Sequence, residues 1–178
     1  MKCRNCKSEL SFELIDLGSA PPSNAYLNRN SLKSAENWFP LRVMICKKCW
    51  LVQTEDYTNA NILFDSNYSY FSGFSNSWLI HSKKYVQSMV NNYGINQFSK
   101  VVEVAANDGY LLQFFKELNI PCLGIEPTAS TAAAAIKKGI DIVQDFFSKK
   151  LALKIVEKNG KADLIVANNV LAHVPDIN

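Results

Sequence analysis

The chain has no apolar run of the roughly 20 residues that a bilayer-spanning helix needs, so no membrane role is expected. It also lacks a basic stripe. A formal net charge of +3, carried by scattered lysines without interleaved aromatics, does not describe a nucleic-acid surface. The start, MKCRNCKSEL, has neither an apolar stretch nor a small-residue cleavage site, and a cytoplasmic location is expected. Internal repeats and low-complexity tracts are absent. So is GxGxxG, the fingerprint of dinucleotide sites. What is left is an ordinary globular composition, 48% hydrophobic and 20% charged. At 178 residues it accommodates a small module plus part of a larger domain.

Four of the five cysteines fall in two CxxC pairs, Cys3 with Cys6 and Cys46 with Cys49. Each pair is a knuckle whose thiolates reach one side of a tetrahedral ion, and together they supply the full set for one structural zinc. Four thiolates leave no open position for a substrate. Competing readings are buried free thiols, or one redox dithiol beside two bystanders; a disulfide framework suits a reducing compartment poorly. The fifth, Cys122, stands alone at the start of a strand and is expected to pack in the core.

Three stretches follow one another. Residues 1–56 form a cysteine-bracketed, turn-rich module containing GSAPPSN. Residues 57–99 are an aromatic segment and a linker helix, with apolar residues at helical spacing from Ser75 to Tyr93. Residues 100–178 alternate strand and helix: VVEVA, YLLQFFKEL, CLGIE, ASTAAAAIKK, DIVQ, KKLALKIVEK, ADLIVAN. That alternation predicts a parallel sheet with helical crossovers, the start of a Rossmann-like α/β domain. Gly139 and Gly160 stand where helices closed by a left-handed residue would want them.

The candidate ligand site lies where strand ends meet loops. KVVEVAANDGYLL is an apolar strand, a polar turn and an apolar helix, with Glu103 at the end of the strand and Gly109 opening the helix. Asn107 and Asp108 are the non-glycine types that best tolerate a left-handed backbone. Ala105 and Asn107 stand where methyltransferases commonly have glycines, which hinders approach to a pyrophosphate and favours S-adenosylmethionine (SAM) over NAD. The next strand ends at Glu126-Pro127, about twenty residues on, where a carboxylate can accept both ribose hydroxyls; the plainer alternative is a solvated strand-end carboxylate. After the third strand, Asp145 and Phe146 could hold an adenine by a polar contact and a ring face, unless the phenylalanines are core. Asn168, Asn169 and His173 follow the fourth strand and could border the sulfonium and the acceptor.

Taken in order, the two CxxC pairs, YSYFSGFSNSWL, EVAANDGYLL, GIEPTAS and ANNVLAHVPD make the chain resemble the SAM-dependent C-methyltransferases of deoxysugar biosynthesis. The resemblance covers essentially all of the sequence. It implies an N-terminal zinc domain, a central Rossmann-like SAM domain and a further α/β domain. It also implies a nucleotide-linked 4-keto-deoxysugar as acceptor, methylated at carbon 3 through an enolate, and a tyrosine facing the sugar, which maps onto Tyr68 or Tyr70. Relatives carry a Glu-His pair well after the fourth strand, with the His as proton-abstracting base, and no such pair occurs here. His81 comes too early and is expected on a helix surface. The expectation is a portion of a longer enzyme, or a chain whose remaining domains belong to another. A non-catalytic zinc and SAM module, and an O- or N-methyltransferase of another small molecule, are the alternatives.

Overall fold

The computed structural model describes residues 1–58, 63–64, 68–174 and 177–178. They divide into two compact units, Met1–Phe64 with Leu171–Asn178, and Asp65–Val170. The cysteine module holds a three-stranded antiparallel sheet in the order β1 (Phe12–Ala20), β2 (Phe39–Ile45), β3 (Val52–Thr54). Its interior is small: Cys3, Leu10, Met44 and Cys46 are buried, with Cys6, Cys49 and Leu51 packed against them. Every residue of β1 is exposed.

The second unit begins its helical part with α1 (Asn76–Tyr93), started by Ser75, whose hydroxyl accepts from Trp78 N–H, and closed by left-handed Gly94. Four parallel strands follow: β4 (Val101–Val104), β5 (Cys122–Ile125), β6 (Asp141–Val143) and β7 (Leu164–Val166). The order is β6-β5-β4-β7, so the chain winds outward from β4 to β6 and then returns to the other side of β4. Such a reversal opens a crevice at the carboxyl ends of the strands, beside β4. The crossovers are α2 (Leu112–Glu117), α3 (Ala129–Lys137) and α4 (Lys149–Asn159).

Two apolar clusters flank this sheet. One gathers Val101, Tyr110, Leu111, Leu112, Phe115 and Val86 with Ala135 and Ile140, and so takes in α1, α2 and α3. The other joins Val104, Ile125 and Leu151 with Ile155 of α4. The period of two along a strand sends Val102 and Val104 to the α4 side and Val101 to the other, the side that Glu103 shares. Strands buried on both faces are normally unbroken apolar runs. Glu103 interrupts this one and is fully buried.

The helices start and stop close to where the sequence pattern puts them, with two differences in backbone. Gly109 does not open a helix: it sits in a turn at φ 72°, and α2 starts at Leu112. Gly139 has φ 76° after α3, as expected, whereas Gly160 combines φ 77° with ψ 178°, an extended exit rather than a left-handed helical one. His81 lies exposed on α1, stacked on Trp78 at 5.0 Å. Cys122 packs beside the α1–α3 cluster. Among the described residues no helix is long and apolar enough to cross a membrane.

Candidate functional site

The two cysteine knuckles are built alike. In the first, Lys7 N–H bonds back to Cys3 O (3.0 Å) and Cys3 N–H to Ser8 O (2.8 Å); in the second, Trp50 N–H bonds to Cys46 O (2.8 Å) and Cys46 N–H to Leu51 O (2.9 Å). Lys7 and Trp50, each just past its CxxC, have positive φ, 58° and 62°. This repeated turn aims both thiols of each pair inward. The four Sγ atoms lie within 4.8 Å of one another, with Cys3–Cys49 at 3.6 Å and Cys6–Cys46 at 3.5 Å. Zinc–sulfur bonds of about 2.3 Å require tetrahedral edges of about 3.8 Å, so the cysteines fit a zinc ion. The fit is also electrostatic. Burial pushes the Cys3 thiol up to about 11, while the Ser8 hydroxyl and backbone bring Cys6 down to about 6. Four thiolates therefore need a cation among them to coexist.

In the second unit the parallel strands bring their carboxyl ends to one edge, and four loops meet there. After β4, three alternate residues are left-handed: Ala105 (φ 55°), Asn107 (φ 51°) and Gly109 (φ 72°). The turn thus follows the backbone course of a glycine-rich loop with one glycine. That glycine serves packing, because a Cβ on Gly109 would lie 2.3 Å from Ile140 Cδ1 and 3.2 Å from Ala135 Cβ. Asn107 takes the left-handed geometry expected of it; Asp108 does not, and Ala105 does.

Glu103 sits below this turn. Neither carboxylate oxygen has a well-formed hydrogen bond among the described residues. Burial pushes its pKa up to about 8; the neighbouring Tyr110 hydroxyl and Asn168 amide offset this in part, and the charges of Asp108 and Glu126 add to it. Glu126, 4% exposed, is held from both sides: Asn107 N–H donates to Oε2 (2.9 Å) and Thr128 N–H to Oε1 (3.0 Å). It is no solvated strand-end carboxylate, and Pro127 beside it is half-buried. Asp145 is exposed after β6, bonded to Phe146 N–H, and Phe146 is exposed rather than core. After β7, Asn168 and Asn169 are exposed; Asn168 Nδ2 donates to Tyr110 Oη (2.9 Å), and Asn169 is left-handed.

Asn107 and Asp108 turn their side chains elsewhere. Asn107 Oδ1 accepts from Ser72 N–H (2.9 Å) and its Nδ2 donates to Tyr70 O (3.0 Å). Asp108 Oδ1 accepts from Gly73 N–H (3.1 Å), and Oδ2 faces Lys138 Nζ (3.1 Å). The aromatic segment is thereby fixed on the β4 turn. Tyr70 is half exposed, whereas Tyr68 is more buried, with its pKa raised by desolvation and the nearby Glu126 charge. His173 stands exposed in the short Leu171–His173 helix, which groups with the cysteine module through Arg4 Nη1 to Ala172 O (3.0 Å). It is not among the residues that the second unit gathers. Pro175 and Asp176 lie outside the described residues.

Sequence reasoning passed over Tyr110, Lys138 and Thr128. Tyr110 adjoins the quoted NDG turn and its hydroxyl needs a buried partner, a signal open to reading. Lys138 and Thr128 carried none, since only the fold places Lys138 beside Asp108 and buries the Thr128 hydroxyl without a partner among the described residues.

Comparison with known proteins places these features. Residues 3–64 match the family model Methyltransf_13, described as "Putative zinc binding domain", and residues 83–175 match the model of the methionine biosynthesis protein MetW. C-methyltransferase NovU of Streptomyces niveus is 27% identical over 176 residues, 99% of this chain and 42% of NovU. The chain therefore spans less than half the length of this curated relative. Among solved structures, the plantazolicin methyltransferase BpumL in complex with SAH aligns with a TM-score of 0.36 and 13% identity, over 60% of this chain and 47% of that one. Escherichia coli quinone oxidoreductase complexed with NADPH aligns with a TM-score of 0.37 and 20% identity, over 68% and 39%. The chain belongs to the MetW family over more than half its length, and the cysteine module in front of that stretch matches the zinc-binding model.

Proposed function

We propose that the protein is a SAM-dependent C-methyltransferase acting on carbon 3 of a nucleotide-linked 4-keto-deoxysugar. The observation that carries the reaction class is the likeness to C-methyltransferase NovU across 99% of the chain, which takes in both the cysteine module and the strand-end edge. The zinc module is structural, since its four thiolates fill the coordination shell.

The edge residues fit SAM on their own chemistry. Glu103 is a buried carboxyl group whose oxygens have no well-formed hydrogen bond among the described residues, and a ligand ammonium group beside it would favour its charged form. Glu126, pre-oriented by two backbone donors, keeps lone pairs for ribose hydroxyls. Ala105, Gly109 and Pro127 belong to the turns that follow β4 and β5, Asp145 and the exposed ring of Phe146 suit a purine, and Asn168 and Asn169 follow β7. Bound there, SAM supplies an electrophilic methyl group.

The chain must then generate and hold a nucleophilic carbon. A ketone at carbon 4 acidifies the neighbouring C–H, and a base removes that proton to give an enolate. Tyr68, whose hydroxyl is held protonated by burial and by the Glu126 charge, suits donation of a hydrogen bond to the enolate oxygen. Tyr70, half exposed on the same segment, is the better candidate to meet the sugar.

The test is to incubate the chain with SAM and a nucleotide-linked 4-keto-deoxysugar, and to follow product by mass and carbon-bound methyl resonance. An ether or amine methyl would replace this reading with O- or N-transfer. Tight SAM binding without product would make the chain a ligand-binding module.

A further inference from the structure

We propose that the side chains of Asn107 and Asp108 are positioning residues for the aromatic segment 68–74, and not ligands of the cofactor. The inference rests on the proposed function for its catalytic meaning, but the contacts stand without it. Asn107 uses both ends of its amide on one stretch of backbone, accepting from Ser72 N–H and donating to Tyr70 O. Residues i and i+2 are the pair that a neighbouring strand would engage, so the amide acts as a one-residue strand. Asp108 continues the row by accepting from Gly73 N–H, with Lys138 balancing its charge. A third clasp comes from α3, where Ser130 Oγ donates to Tyr68 O at 3.2 Å.

The fit is close enough to dictate a residue on the other side. A Cβ on Gly73 would lie 2.3 Å from Asp108 Oδ2, so any larger residue there displaces either the segment or the Asp108 carboxylate that holds it. Asn107 and Asp108 are 9% and 6% exposed, and hydrogen bonds sheltered from water to this degree, one of them to a charged acceptor, are the stronger kind. All four polar atoms of the two side chains already have protein partners. The NDG turn therefore sets where Tyr68 and Tyr70 stand relative to the β4 loop, and acts on the reaction through them.

The test measures, on the full chain, amide exchange at Ser72 and Gly73 together with affinity for S-adenosylhomocysteine by calorimetry. Three variants are compared. Asn107→Gly removes the amide but suits φ 51°; Gly73→Ala parts the segment from the Asp108 carboxylate without changing a residue of the turn; Asp108→Asn keeps the acceptor for Gly73 N–H. We expect exchange to rise at least about tenfold in the first two and to stay near wild type in the third. S-adenosylhomocysteine affinity should hold in Asp108→Asn, and any loss should be shared by Asn107→Gly and Gly73→Ala. Unchanged exchange in Asn107→Gly, a tenfold affinity loss confined to Asn107→Gly, or such a loss in Asp108→Asn would each overturn the inference. Should Asn107→Gly fail to fold, Asn107→Ala takes its place, since it too removes the acceptor for Ser72 N–H and an alanine already holds a left-handed φ at position 105 of the same turn. Failure of the wild-type chain to bind S-adenosylhomocysteine would sink the proposed function, while the exchange results would still decide the anchoring.

Discussion

The two units of this chain solve the same problem with different means. The parallel-sheet unit closes two apolar clusters around its strands, with Phe115, Leu111, Leu112 and Ile125 essentially removed from solvent. The cysteine module buries two cysteines, Leu10 and Met44, while Phe12, Leu14, Ile15 and Leu17 along β1 remain exposed. Small domains that cannot bury enough apolar surface add a metal or a cross-link. Here the substitution is visible residue by residue, because two of the four ligand cysteines, Cys3 and Cys46, make up half of that buried apolar cluster. A charge-compensated ion holds one unit, whereas the other is held by apolar burial and carries one buried acid, Glu103, whose pKa that burial raises.

Metal removal should break this comparison most sharply. Zinc binding to a four-cysteine peptide site is worth about 10–16 kcal/mol, far more than this interior can supply. A chelator, or the Cys46→Ser, Cys49→Ser double variant, should therefore abolish amide protection over β1–β3 and leave protection in β4 and α2 near its starting value. Exchange read by mass, beside elemental analysis showing one zinc per chain before treatment, checks this. A module that keeps its protection without metal would end the distinction drawn here.

Glu103 offers a smaller effect in the other unit. Its pKa is raised by burial from 4.5 to about 8, so between those values the folded chain keeps a proton that the unfolded chain has lost. Stability must fall as pH rises through that window, and the advantage of the neutral acid is gone above about pH 8. The full change is on the order of 5 kcal/mol. Glu103→Gln, which keeps the shape and cannot ionise, should flatten the slope and be the more stable protein at pH 9. Denaturant titrations of both proteins at pH 5, 7 and 9 decide it; parallel curves would mean that Glu103 is already paired.

Much of this was readable before any coordinates. The four cysteines announced themselves by spacing, and the alternation from Lys100 onward gave four strands and three crossovers in the observed sequence, since helix and strand periods differ enough to separate. The strand-end edge followed from topology alone, which brought Glu103, Glu126, Asp145 and Asn168 to one side. The direction of side chains was out of reach. Nothing local says that Asn107 bonds to residues 70 and 72, thirty-five or more positions back, or that Glu126 is gripped by two backbone amides, because long-range hydrogen bonds leave no periodic trace. Gly109 illustrates the same limit: the sequence marks a glycine, and only packing against Ile140 and Ala135 says what requires it.

The smallest effect concerns the residue that departs from glycine in the β4 turn. Ala105 has φ 55°, a region that costs an L-residue with a Cβ about 1–2 kcal/mol. Glycine would relieve that strain, at the cost of about 0.4–1 kcal/mol from the greater freedom of the unfolded chain. Ala105→Gly should thus stabilise the sheet unit by up to about 1 kcal/mol, a rise in its Tm of a few degrees, about 4 °C. The cysteine module should not respond, and zinc content should be unchanged. Gly109→Ala is the control: it adds a side chain at φ 72° against Ile140 and must destabilise the same unit. Thermal unfolding of the two variants beside wild type separates the cases. If Ala105→Gly lowers Tm, the alanine methyl makes contacts worth more than its backbone strain, and the turn is held by packing where we place the strain.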